Sequence, residues 1–114
     1  MERRDVARKD VSLKTILISG SKSYDGIIGN VSEYGLYVKT SLTKTEIDFL
    51  PTTILELKFN IPSGKTINLL CEIIWLYSKK IQHPRLGNEG VLENNIGMEI
   101  KNSPPEYKNF VENL

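Results

Sequence analysis

Three of the four arginines in this chain, Arg3, Arg4 and Arg8, lie in its first eight residues, although Lys and Arg together number 15. Lysine is enough for a solvated tail. Arginine is required where a planar fork must hold a phosphate or a purine edge through two hydrogen bonds, or lie flat on a ring. Further along, Asn30-Val31-Ser32-Glu33-Tyr34-Gly35 places an amide, a hydroxyl and a glycine in one short polar segment between apolar runs. Asn and Ser at such a position offer short side chains from a rigid turn, and they also bond to their own backbone. Together the two groups carry the chemistry of anion and nucleobase recognition.

The rest of the composition makes that recognition local. Net charge is only +1, so no overall field draws the chain to nucleic acid or an anionic membrane. A length of 114 residues and 39% hydrophobic content are enough for one domain with a core of its own. The lone cysteine, Cys71, cannot form an internal disulfide and sits in an apolar run, which reads as a buried structural thiol in a reducing compartment. The charged N-terminus lacks the apolar stretch of a signal peptide, and no run approaches the roughly 20 apolar residues of a membrane span. A cytoplasmic location is expected. His83, beside Pro84, has no Cys, Asp or Glu cluster around it, and no nucleophile–base set or paired carboxylates can be read. Neither metal nor catalysis is expected.

The elements that must position these groups follow from periodicity. Residues 1–10 are almost all charged and read as a flexible arm. Alternation of apolar and polar residues predicts strands over Val11–Ile18, Tyr24–Val31, Gly35–Thr40, Ile54–Ile61, Thr66–Tyr77 and Gly90–Ile100. Gly20 and Pro62-Ser63-Gly64-Lys65 mark tight turns. Ser41–Thr53 and Ser78–Glu89 fit no strand. Trp75, in an apolar strand, reads as core rather than as a base-stacking platform. Tyr34 and Tyr37, near the motif, could contact a base, although alternation makes one of the two a packing residue. Near the end, Ser103 is placed as a helix N-cap with Pro104 at the first helical position, and Tyr107, Phe110, Val111 and Leu114 form one apolar stripe. The expected architecture is an all-β, six-stranded antiparallel barrel over residues 11–114, closed by a short C-terminal helix and preceded by the arm of residues 1–10.

The spacing R-x-x-x-R at Arg4 and Arg8, followed by N-x-S-x-x-G at Asn30, Ser32 and Gly35, resembles the ligand-binding signature of PilZ domains, bacterial receptors for cyclic di-GMP. The resemblance covers most of the chain. Phe59-Asn60-Ile61-Pro62-Ser63-Gly64 is similar to the family's strand end and turn, Glu72-Ile73-Ile74-Trp75 to its strand ending in tryptophan, and Ile96-Gly97-Met98-Glu99-Ile100 to its last barrel strand. Two features depart from the family: Thr43–Pro51 lacks its usual glycine, and the loop Ser78–Glu89 is long. The resemblance implies a non-enzymatic receptor of the same barrel architecture, with cyclic di-GMP as ligand and no other cofactor. Arg4 and Arg8 would close over the dianion, Asn30 and Ser32 would offer polar edges, and Gly35 would let chain and ligand approach. Arg3 occupies the position that bears on whether one ligand or a stacked pair binds, and a charged residue favours the pair. Ligand binding would order the arm and change the surface offered to a protein partner.

Two readings from other classes stand beside this one. A PilZ-like adaptor would bind protein without nucleotide, and a null titration would favour it. A single-strand nucleic-acid barrel needs a basic groove interleaved with aromatics, whereas these strands mix Lys with Asp and Glu.

Overall fold

The computed structural model describes residues 8–40, 50–81 and 91–114. Six strands and one helix follow in chain order: β1 (Lys9–Ser19), β2 (Lys22–Val31), β3 (Gly35–Thr40), β4 (Ile54–Asn60), β5 (Thr66–Ile81), β6 (Val91–Asn102) and α1 (Pro105–Glu112). The strands close into a barrel in the order β1-β2-β3-β6-β5-β4, every pair antiparallel. Closure removes the free edge that an open sheet of this size would present. All six expected strands and the terminal helix are present.

Alternation sets which side chains enter the barrel. In β4, Leu55, Leu57 and Phe59 are buried while Lys58 and Asn60 face solvent. The same period places Leu17, Ile28, Val38, Leu69, Ile73 and Ile96 inside. Each such side chain stabilises the fold by about 1.5–3 kcal/mol relative to exposure. Two glycines at turns adopt positive φ, Gly20 (φ 60) between β1 and β2 and Gly64 (φ 97) between β4 and β5. On the outside, Glu72 of β5 lies directly opposite Glu99 of β6, a repulsive cross-strand pair. Lys101 bridges them, its Nζ 3.3 Å from Glu72 and 3.4 Å from Glu99.

Several boundaries differ from expectation. β5 continues to Ile81, so residues 78–81 are strand and not loop, paired with β6 through Ser78↔Asn94 to Ile81↔Val91. Polar Ser78, Lys79 and Lys80 conceal this because the main chain, not side-chain burial, holds the hairpin arm together. Lys9 and Asp10, assigned to the arm, already pair with Val31 and Asn30 in the sheet. Segments 1–7, 41–49 and 82–90 lie outside the described residues, and with them Arg3, Arg4 and most of both expected irregular segments. In the helix, the cap is Pro104 with no side-chain hydrogen bond, and Ser103, the expected N-cap, buries a hydroxyl that has no partner among the described residues. Proline at both 104 and 105 sets the entry through its fixed φ instead. Tyr107 and Val111 are buried, Phe110 is partly so, and Leu114, beyond the last turn, is exposed.

Cys71 lies fully inside the barrel, and burial pushes its thiol up from 9.0 to about 12. Burial, then the nearby Cys71, also raises the Tyr107 phenol. Both groups are held neutral in the folded state above the pH at which the unfolded chain would ionise them. Their contribution is therefore complete below about pH 9 and is lost as pH rises toward the folded-state values. Urea unfolding at about pH 8 and about pH 10.5 should show stability falling with pH, the thiol alone supplying a slope of up to about 1.4 kcal/mol per unit.

Candidate functional site

Arg8 sits immediately before β1, exposed, and its Nη1 donates to Asn30 Oδ1 at 3.1 Å. The two halves of the sequence motif that the structure describes therefore meet. Strand pairing brings them together, because Asp10 of β1 is the partner of Asn30 in β2.

The turn after Asn30 is built by Ser32. Its backbone N–H donates to Gly35 O at 2.8 Å, its hydroxyl donates to the same oxygen at 3.1 Å, and Gly35 N–H donates back to the hydroxyl at 3.1 Å. The hydroxyl thus takes the N–H that a turn's first carbonyl usually accepts. That carbonyl is left for the Tyr107 hydroxyl of α1, which donates to it at 2.6 Å. Ser32 is only 5% exposed, so it shapes the site through the turn and presents little of itself to solvent. Gly35 is required for a different reason from bending. Its φ is not positive, and a Cβ there would stand 2.8 Å from the Met98 carbonyl oxygen of β6. Tyr34, at the turn's tip, accepts from Ile100 N–H at 2.9 Å, so the turn is pinned to β6 as well.

Two bulges shape the neighbouring outer face. The β2–β3 register shifts between Ile28 and Asn30, and the β5–β6 register shifts between Ile73 and Trp75. An extra residue reverses the alternation beyond it. Trp75, expected in the core, is therefore turned outward and is 46% exposed. Its indole lies over Gly97, where a Cβ would stand 2.1 Å from Nε1, and stacks on Tyr37 with centroids 6.0 Å apart and planes at 24°. Tyr37 in turn covers Gly29 and donates its hydroxyl to Asn95 Oδ1. Tyr34 is exposed, so of the two tyrosines Tyr37 is the one that packs. The cross-strand partners Asp10, Asn30, Tyr37, Gly97 and Trp75 form one row across five strands, β1-β2-β3-β6-β5. Arg8 stands at the Asn30 end, and an aromatic pair at the other.

This row offers a forked cation, an amide and ring faces. No cluster of His, Cys, Asp and Glu among the described residues could hold a metal. No helix among them is long and apolar enough to cross a membrane.

A family model for the PilZ domain matches residues 2–113. The chain belongs to the PilZ family. The fold agrees with two solved structures. One is the PilZ domain with c-di-GMP of YcgR from Escherichia coli, at a TM-score of 0.72 and 11% identity, covering 97% of this chain and 87% of that one. The other is the Bacillus subtilis inhibitor of motility (MotI/DgrA), at a TM-score of 0.67 and 14% identity, covering 99% of this chain and 49% of that one. No curated protein matches by sequence. PilZ domains are ligand-binding and adaptor domains, not enzymes, and their ligand is cyclic di-GMP.

The sequence assigned Trp75 to the core and left Tyr37 open between a base contact and packing. The bulges that turn Trp75 outward leave no mark in the pattern, and the available signal was Gly97, the position in β6 that has no side chain to hold an indole away.

Proposed function

We propose that this PilZ domain is a cyclic di-GMP receptor that reads the ligand on the outer row from Arg8 to Trp75. The observation that carries the proposal is the bond from Arg8 to Asn30, which joins the two halves of the signature on one surface. Cyclic di-GMP is a dianion with two guanines. The Arg8 fork suits guanine O6 and N7 or a phosphate, the Asn30 amide suits a base edge, and the Tyr37–Trp75 pair offers a face on which a purine can stack. Arg3 and Arg4 complete the cationic side, and Arg3 favours a stacked pair of ligands. Ser32 and Gly35 hold the turn that aims Asn30. Ordering of the arm against the barrel is the signal.

That signal is offered to a protein partner. Ile74, beside Trp75 in β5, is exposed, as are Ile54 and Leu70 further along the outer faces of β4 and β5, and these apolar side chains are available to a partner. The bacterial cytoplasm is the setting that fits such a receptor. Calorimetric titration of cyclic di-GMP into the chain tests the proposal, with Arg8→Ala as control. Heat that is lost in the variant supports it, and the stoichiometry separates one ligand from a pair. A folded chain that releases no heat would sink it and leave the protein-only adaptor.

A further inference from the structure

The site rests on α1 in a way that a helix merely packing on the barrel would not. Tyr107 is fully buried, and its hydroxyl is spent on the Ser32 carbonyl at 2.6 Å. At the other end of the helix, Lys9 Nζ donates to Val111 O at 2.8 Å and to Leu114 O at 3.1 Å. The last turn of α1 has no basic residue of its own, so the cation at its negative dipole end comes from β1. Lys9 is the neighbour of Arg8 and the strand partner of Val31, which precedes Ser32. One helix thus grips both halves of the signature, the arm's root through Lys9 and the turn through Tyr107.

We infer that Tyr107 and Lys9 are positioning residues that couple docking of α1 to ligand binding. The inference rests on the receptor reading above and goes beyond it, since neither residue touches the proposed ligand. If the docked helix holds Arg8 and Asn30 in their binding arrangement, the ligand must favour the docked helix by the factor by which docking favours the ligand. Anything that draws α1 away would release ligand, and ligand would tighten α1.

The test uses the full chain as wild type, Tyr107→Phe, Lys9→Met and Lys9→Arg. Calorimetry gives the affinity for cyclic di-GMP, and amide hydrogen exchange of Lys108 to Val111 is followed with and without it. Phenylalanine keeps the buried ring and removes one hydroxyl, so the barrel should still unfold in one transition. Affinity should fall about five- to tenfold, the low end of the cost of leaving a buried carbonyl unpaired. Ligand should slow exchange in α1 of the wild type, and less so in Tyr107→Phe and Lys9→Met. Lys9→Arg, which keeps a cationic donor, should restore the wild-type response. Folded Tyr107→Phe and Lys9→Met that bind as wild type does, with helix exchange indifferent to ligand, would overturn the coupling alone. A wild type that gives no heat would overturn the receptor reading, and the coupling with it.

Discussion

Arg8→Ala should lower the affinity for cyclic di-GMP by about five- to 150-fold, the 1–3 kcal/mol of a charge-assisted bidentate contact, and leave the melting temperature nearly unchanged. The side chain is exposed, and its described contact is the bond to Asn30, so the barrel does not depend on it. Arg8→Lys should fall close to the alanine variant. Lysine keeps the charge and reaches Asn30, but a single ammonium cannot offer two parallel donors to a guanine edge or lie flat on a ring. Arg4→Lys should behave alike. The comparison separates two accounts of the arm. If charge alone draws in the dianion, lysine rescues and added salt weakens both proteins equally. If the fork matters, lysine fails at every salt concentration. A lysine variant that titrates like the wild type would end the forked-contact account.

Gly35→Ala should destabilise the fold before it affects any ligand. The new methyl would stand 2.8 Å from a carbonyl oxygen, and that oxygen belongs to β6, where Gly35 pairs with Glu99 and Leu36 with Met98. A side chain could swing aside, whereas a strand paired on both edges cannot. Overpacking of this kind costs typically about 1–3 kcal/mol, which for a domain of this size lowers Tm by roughly 4–12 °C. The strain falls on the segment that carries the Ser32 bonds, so Asn30 is re-aimed and affinity drops as well. Had Gly35 served only to admit the ligand, alanine would weaken binding and leave thermal unfolding untouched. Differential scanning calorimetry without ligand distinguishes the two.

Much of this architecture could be read from the chain because period-2 alternation is a direct record of burial. Leu55, Leu57 and Phe59 against Glu56, Lys58 and Asn60 name both the strand and its inner face, and β3 matched its expected bounds. The signature was legible because Arg is concentrated in one place and Asn30, Ser32 and Gly35 keep a fixed spacing. What escaped was whatever depends on a register. Trp75 was assigned to the core because its strand is apolar, and the single inserted residue that turns it outward leaves no trace in that composition. The role of Gly35 depends on β6, which follows it by more than fifty residues and pairs with β3 only in the closed barrel. Ser32 was read as a ligand contact or a turn residue, and in this fold its hydroxyl is committed to Gly35. The grip of α1 on the arm's root had no local trace, since Lys9 and Val111 are 102 residues apart in sequence.

The outward indole has an optical consequence. The chain has a single tryptophan, so its emission reports one place on the surface. That place is the half-exposed ring lying over Gly97 beside Tyr37, where water reaches one side. A purine laid on the row would displace that water and quench the excited ring by contact. On the proposed reading, the indole is an unlabelled gauge of occupancy. A barrel with the indole inward would have reported only on unfolding.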